Sequence, residues 1–416
     1  MAKRHLGLGK AAKAKKQKTE PDAEAQPQAS NELTVELSEE IDANDELGQL
    51  KGLWNTYCNS EKDNELVVNG IIHECDRLLR NEKESSKLPD YFHSIYANSL
   101  AELANFHTTD NTKVKEFFDA ALERVDLGLS HYEAGSIDLL FTKSRILIKR
   151  IPLQHISQLT LESKIAKEKP SLGQLLDEAL QSYELAEKRA DELKQYELFN
   201  QDNLEILEAL DDVLDMVDNF GKEQLEGEDE DDEDEDDDAP ELSESHPLYS
   251  IQNTDKYNQW WRDHILKFLE NVDLASSNKA VQEDHALHPL RREICKRIGQ
   301  SYLQESEIPS GVFTTLTYED EYQDETELEG LTREQAQKIA QELIQTAIKY
   351  LEEAQDKEDP ESWVHVAEAL ISLGNLYELD SDEQEASYKK AEAILNKANN
   401  VTNGQYEEVL ENLLQS

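Results

Sequence analysis

Apolar residues recur along most of this chain at the spacing of one face of an α-helix. The recurrence is clear at Leu50, Leu53, Trp54 and Tyr57, which stand at i, i+3, i+4 and i+7. The nearest approach to a strand-like alternation is the segment 311–318, and it does not extend further. The pattern therefore predicts an all-α fold. Further amphipathic stretches lie at roughly 64–80, 89–107, 112–130, 136–150, 172–194, 198–220, 254–272, 288–304, 331–355, 361–379, 383–399 and 405–414.

The segment 367–398 has the layout of one tetratricopeptide-type helical hairpin. Leu373, Gly374 and Tyr377 fit the first-helix spacing L-G-x-x-Y. A single hairpin of this kind cannot bury both of its faces, so it requires stacked neighbours. The sequence therefore predicts a solenoid of helical hairpins with a surface for binding other proteins.

The second helix of such a hairpin presses small residues against the first, and Ala386 and Ala393 are predicted to do so here. Elsewhere the chain repeats a three-residue pattern: an Ala, a bulky residue four positions after it, and a second Ala three positions after the bulky residue. An irregular α-helical domain is the alternative, because Ala and Leu at spacings of three and four occur in any packed helix. The matching sets are Ala179, Tyr183 and Ala186, then Ala340, Ile344 and Ala347, with Phe118 and Ala121 fitting the latter half.

The composition divides the chain into four predicted segments. Residues 1–18 carry seven Lys or Arg and no acid, whereas 228–238 is a run of eleven acids whose mutual repulsion favours an extended chain. Pro309, Gly311 and a second acidic run predict a long loop over 305–330. We predict a disordered basic and polar tail (1–32), an N-terminal α-helical repeat domain (33–220), an acidic disordered linker (221–247) and a C-terminal α-helical, tetratricopeptide-like domain (248–416).

The charge of the whole chain limits its partners. The formal net charge is -49, with 91 acidic residues against 42 basic ones. Self-repulsion of this size argues against broad contact with nucleic acid or an anionic membrane. Three cysteines without CxxC spacing indicate a reducing compartment, and no apolar run has membrane-spanning length. We expect a soluble intracellular protein.

The basic tail is a candidate nuclear-import signal, since clustered Lys and Arg in an unfolded arm suit an acidic receptor groove. Contact with RNA phosphates and a merely solvated tail are the alternatives. The acidic run at 228–238 is either a solubilising linker or a binding segment for basic partners. The candidate import residues are Lys3, Arg4, Lys10, Lys13, Lys15, Lys16 and Lys18.

Catalytic and metal-binding motifs are missing from the sequence. His285 and His288 stand three apart, and His73 stands two from Cys75, but neither pair has further ligands at zinc spacing. No phosphate-binding glycine loop or nucleophile motif occurs. We therefore predict no catalytic residue, no cofactor, no metal site and no enzymatic activity.

The first helix of the 367–398 hairpin has a distinctive charge pattern. The segment 363–379 contains no Lys or Arg, and Glu368, Asn375 and Glu378 are its candidate groove residues. A surface that clamps a terminal carboxylate would need Lys or Arg. We therefore expect a basic or apolar ligand on this face.

The opening MAKRHLGLGKAAKAKKQK resembles the start of the fungal enhancer of translation termination family. The remainder resembles that family in its length, its internal acidic tract and the helical-hairpin pattern that ends in LGNLYELDSDEQEASYKKAEAILNKA. That family includes the fission-yeast nuclear negative regulator of a 2-oxoglutarate-dependent dioxygenase. The resemblance implies a nuclear, all-helical protein without catalysis of its own. It also implies an iron- and 2-oxoglutarate-dependent oxygenase as partner, with effects on translation termination and oxygen-responsive gene expression. The basic leader would serve in import.

We conclude from the sequence that the chain is a nuclear adaptor that regulates a partner by binding it. The main alternative is an acidic chaperone or nuclear-import escort for basic ribosomal proteins, in which the acid tracts neutralise the client. An import receptor is a further expected partner. An enzyme of unrecognised type and direct RNA binding through the tail remain as minor alternatives.

Overall fold

The computed structural model describes residues 4–5, 34–35, 42, 44–81, 88–132, 135–165, 170–222, 240, 242–277, 287–319, 322, 324–407 and 409–410. Almost all of this part of the chain is helical, which confirms the predicted all-α fold. A short antiparallel pair joins β1 (Arg4–His5) to β2 (Thr34–Val35). The acidic run 228–238 lies outside the described residues.

The helices follow one another with short connections. A 3-10 turn (Leu103–His107) extends α3, and a π turn (Ile151–His155) followed by a 3-10 turn (Ile156–Gln158) extends α5. The helices are α1 (Glu46–Cys58), α2 (Glu65–Asn81), α3 (Asp90–Glu102), α4 (Asn111–Ser130), α5 (Ile137–Arg150), α6 (Leu172–Leu193), α7 (Gln201–Asp218), α8 (Tyr249–Gln252), α9 (Lys256–Ser277), α10 (Leu287–Tyr318), α11 (Arg333–Ala354), α12 (Pro360–Asn375) and α13 (Asp382–Val401).

The chain forms two compact units, 1–194 with 208–255 and 195–207 with 256–416. The segment after the acidic run packs into the first unit. His246 Nε2 lies 3.2 Å from the carbonyl oxygen of Thr160, and the amide of Ile165 donates to the carbonyl oxygen of Ser245 at 2.9 Å. The predicted linker through residue 247 therefore differs from the observed packing, because an apolar and hydrogen-bonded turn follows the acids.

Consecutive helices pack against each other as hairpins within each unit, namely α3 with α4, α5 with α6, α10 with α11, and α12 with α13. The second helix of each hairpin buries an Ala or Val, a bulky residue four positions on and an Ala three further. Small residues at these places allow close approach of the helices. This arrangement is compatible with tetratricopeptide-like repeats. The buried sets are Val114, Phe118 and Ala121; Ala179, Tyr183 and Ala186; Ala340, Ile344 and Ala347; and Ala391, Leu395 and Ala398.

The predicted register of the last helix, α13, is wrong. Ala386 and Ala393 are exposed, whereas Ala391, Leu395 and Ala398 face the core. These three residues have the same spacing as the buried sets in the other second helices. The buried face of α13 is therefore rotated about the helix axis relative to the predicted face. Which face is buried depends on the rows of side chains that α12 offers.

The predicted loop over 305–330 is wrong for its first part, because α10 continues as a helix through Pro309 to Tyr318. Proline and glycine disfavour a helix interior by local propensity alone. Here Val312 and Phe313 are buried in a core shared with α11 and α12. Burial of these apolar side chains outweighs the local preference.

A buried ion pair links helices in the first unit. The carboxylate of Glu102, 5% exposed, lies 2.6 Å from Lys149 Nζ and accepts hydrogen bonds from Asn105 at 3.0 Å and Tyr57 at 3.4 Å. Burial alone would raise the pKa of Glu102, but the Lys149 charge and hydrogen bonds overcome this and hold the pKa below its ordinary value. Glu102 is therefore ionised in the folded protein.

Candidate protein-binding surface on the last hairpin

Each helix of the hairpin formed by α12 and α13 begins at a polar capping residue. The Asp359 carboxylate accepts from the amide of Glu361 at 3.1 Å, and Pro360 occupies the first helical turn. The Ser381 hydroxyl accepts from the amide of Gln384 at 3.2 Å. Local sequence therefore sets where both helices start.

The two helices approach closely at Gly374. A Cβ at this position would collide with the ring of Tyr388, so the glycine makes room for the tyrosine. The Tyr388 hydroxyl donates to Oδ1 of Asn375 at 2.6 Å. Burial raises the pKa of Tyr388, so this hydroxyl keeps its proton at neutral pH.

The end of α12 is held by the preceding helix. The side-chain amides of Gln337 and Gln341 on α11 donate to the carbonyl oxygen of Leu376 at 2.6 and 3.1 Å. Leu373 and Gly374 are buried here, and Tyr377 is half-buried. The turn that follows therefore starts from a backbone that is hydrogen-bonded to α11.

The predicted groove residues Glu368, Asn375 and Glu378 are all exposed. Glu368 and Asn375 stand on one side of α12 at i and i+7, and Glu378 follows in the turn, next to the 74% exposed Leu379. We call Glu368, Asn375, Glu378 and Leu379, with the exposed acids of the first turn of α13, the acidic face. Those acids are Asp382, Glu383 and Glu385.

From Glu368 to Glu385 the acidic face has no basic residue in its sequence, and in the structure Glu385 at its edge pairs with Lys389 at 2.6 Å. Between Lys357 and Lys389 the sequence contains nine Asp or Glu and no Lys or Arg. Tyr318 at the end of α10 is 55% exposed and lies close enough to Tyr388 to influence its pKa. A negative surface with exposed apolar and aromatic side chains is suited to a basic segment that also carries apolar residues.

Sequence reasoning missed Tyr318, Leu379 and Tyr388. Tyr318 belongs to a helix that the sequence predicted as loop, and Tyr388 comes from the opposite helix of the hairpin. No linear motif joins these positions. The lack of Lys and Arg around Leu379 was the one visible signal.

The candidate import residues are not placed by the structure. All of the side chains of the basic tail fall outside the described residues, and of Arg4 only the strand backbone is described. Within the described ranges, no three His, Cys, Asp or Glu side chains are grouped so as to hold a metal ion. None of the helices described is long and apolar enough to cross a membrane.

Comparison with known proteins places these features in a family. The family model described as "Nro1: Nuclear pore complex subunit Nro1" matches residues 1–414. A relative from Scheffersomyces stipitis named "Enhancer of translation termination 1" is 63% identical over 440 residues, covering 100% of both chains.

Two solved structures share the fold. One, described as the S. pombe nuclear import adaptor Nro1, has a TM-score of 0.54 at 17% identity and covers 88% of this chain and 98% of its own. The other is described by the words "The hypoxic regulator of sterol synthesis Nro1 is a nuclear import adaptor". It has a TM-score of 0.53 at 16% identity and covers 88% of this chain and 92% of its own.

Proposed function

The chain belongs to the Nro1 family, and from this premise we propose that it is a non-catalytic nuclear adaptor that binds a partner protein on the acidic face. The related solved structures are described as a nuclear import adaptor, which supports a role in bringing a partner into the nucleus. The relative's name supports a role in translation termination. No catalytic residue is assigned to this chain.

The acidic face is the observation that carries the proposal. It combines exposed Glu368, Glu378 and Leu379 on a hairpin whose two helices pack closely at Gly374. A surface that is already ordered before binding loses little conformational freedom, so more of the contact energy appears as affinity. Its negative charge steers a basic partner segment during encounter, and Leu379 supplies an apolar contact.

Reversing charge on the acidic face should weaken partner binding. In affinity purification with quantitative mass spectrometry, we expect the double variant E368K/E378K to recover at least about tenfold less of the main protein partner than the wild-type protein does. The control E334K/E342K makes the same change in net charge on α11, where both glutamates are exposed. Circular dichroism checks that both variants remain helical.

The control variant separates a surface effect from a charge effect. If E368K/E378K and E334K/E342K lose the partner equally, long-range charge and not the acidic face governs binding. Unchanged recovery by E368K/E378K would remove the acidic face from the proposal altogether.

The partner that the family resemblance implies is an iron- and 2-oxoglutarate-dependent oxygenase, whose iron ligands belong to that partner. Oxygen-responsive regulation has support from the solved structure described as a hypoxic regulator of sterol synthesis. The alternative client is a basic ribosomal protein, favoured by the net charge of -49. A complex driven by charge should dissociate between about 0.1 M and about 0.5 M salt, whereas a packed interface should persist.

Removal of residues 1–18 should redistribute the protein from nucleus to cytoplasm. Seven basic residues in this segment form the proposed import signal, and an import receptor reads such clusters by charge. Fluorescence microscopy of a tagged protein measures the nuclear fraction, with deletion of 19–31 as the control. Nuclear accumulation that survives the 1–18 deletion would show that import uses another part of the chain.

A further inference from the structure

The second half of α10 exposes one side to solvent along a line of residues that we call the α10 seam. Its members stand alternately four and three residues apart, the period along which two helices pack in a coiled coil. Ile308 is 67% exposed and Tyr318 is 55% exposed, although both side chains are large. Thr315 is half-buried, and the other members are exposed. The α10 seam consists of Gln304, Ile308, Gly311, Thr315 and Tyr318.

Gly311 lies at the centre of the α10 seam, in a segment that is helical on both sides of it. A Cβ added at this position would meet no atom within 4 Å among the described residues. Glycine destabilises a helix interior relative to alanine, and here no neighbour within the described chain requires it. The open space allows another helix, or a large side chain on it, to approach the backbone of α10 closely.

The residues beside the α10 seam are acidic. Glu305, Glu307 and Glu319 are exposed and occupy the positions that flank the seam of a coiled coil. Glu305 pairs with Arg262 of α9 at 2.6 Å. The segment 298–332 contains nine Asp or Glu and no Lys or Arg. Because charges at the flanking positions select the partner helix, a helix that docks here must carry Lys or Arg beside its own seam.

Two occupants from this chain itself fit the α10 seam poorly. A second copy would bring the same glutamates against Glu305 and Glu319, and like charges facing each other oppose association. The basic tail has a suitable charge, but Leu6 and Leu8 stand two positions apart and therefore do not share a helix face. The two glycines next to these leucines also disfavour a helix. The charge and the spacing therefore favour a segment of another protein.

We infer that the α10 seam binds one helix of the partner protein, with basic residues along its flanks and a large apolar residue opposite Gly311. Its other apolar residues would cover Ile308 and Tyr318, and its Lys or Arg would lie beside the flanking glutamates. Tyr318 lies near Tyr388 of the last hairpin, so the same partner can reach the acidic face. The inference rests on the proposed function and specifies the form of the partner segment.

Designed peptides test the α10 seam on the full-length protein by fluorescence anisotropy at about 0.15 M salt. The first peptide has three heptads with Leu at positions a and d and Lys at positions e and g. The second has Glu in place of Lys, and the third has the composition of the first with Leu spread around the helix. We expect the first to bind at least about tenfold more tightly than the others, because the second is repelled and the third has no apolar side.

Substitutions on the α10 seam locate the binding. Gly311→Trp fills the open space without meeting another part of the described chain, and it should weaken binding of the first peptide at least about tenfold. Ala393→Trp adds the same ring at an exposed position of α13 and should change the affinity by less than about twofold. Ile308→Asn and Val401→Asn, at side chains that are 67% and 55% exposed, make the same comparison for apolar contact.

Equal binding of the three peptides, or an unchanged affinity in Gly311→Trp, would overturn the inference. An equal loss in Gly311→Trp and Ala393→Trp would also overturn it, because the effect would then not belong to the α10 seam. The peptides contain no part of the native partner, so this result is separate from the purification with E368K/E378K. If the first peptide does not bind but E368K/E378K loses the partner, the proposed function stands and helix docking on α10 is wrong.

Discussion

Leu395→Ala should lower the free energy of unfolding of the second unit by about 3 kcal/mol, because it empties a fully buried site. Ala393→Leu, two positions away, should change it by less than about 0.5 kcal/mol, because Ala393 is exposed and Leu is a good helix former. Leu395 packs in the core with Trp363 and Val364 of α12. The pair of variants therefore tests the observed register of α13 against the predicted one.

Ala391→Leu completes the test from the opposite direction. Ala391 is fully buried, and overpacking a site of this kind costs about 1–3 kcal/mol. Urea unfolding followed by circular dichroism measures all three variants under the same conditions. A large loss in Ala393→Leu together with a small loss in Ala391→Leu would restore the register that the sequence suggested.

Glu102→Ala should destabilise the first unit by about 3 kcal/mol. The substitution leaves the half-buried ammonium of Lys149 without its carboxylate and removes the acceptor for Asn105. Loss of one partner of a buried pair costs more than the pair itself contributes. Asp126→Ala is the control in the same unit, because its carboxylate is exposed and 3.5 Å from Lys143, and it should cost less than about 1 kcal/mol.

The pH dependence of the Glu102 effect has a definite sign. Its pKa in the folded protein is below the ordinary value, so the stabilisation is present above the unfolded pKa of about 4.3. It is lost as pH falls through the folded pKa. The difference in unfolding free energy between wild type and Glu102→Ala should therefore shrink on acidification below about pH 4. A difference that grows on acidification would contradict the buried ion pair.

The candidate site was partly visible in the sequence. The absence of Lys and Arg over 363–379 predicted an acidic surface, and Glu368 and Glu378 do lie exposed on it. The contribution of Tyr318 was not visible, because this residue is distant from the hairpin in sequence and reaches it only through the extension of α10.

The sequence by itself determined that the protein is helical and where most of its longer helices begin. The features that determine this are local and act within a few turns of the backbone. They are the helical period of the apolar residues, capping residues such as Ser381, and the spacing of Ala340, Ile344 and Ala347. They do not depend on residues that are distant in the sequence.

The tertiary structure alone decided which face of α13 is buried, that α10 passes through Pro309, and that 242–255 packs into the first unit. Each of these outcomes depends on apolar area supplied by residues far away in the sequence. Proline or glycine within a helix is disfavoured locally by about 1–3 kcal/mol. Burial of Val312 and Phe313 in a core formed with distant residues stabilises the helix by a comparable or greater amount, so the helix continues. The local sequence pattern cannot predict this burial, because the helices that bury Val312 and Phe313 lie far away in the sequence.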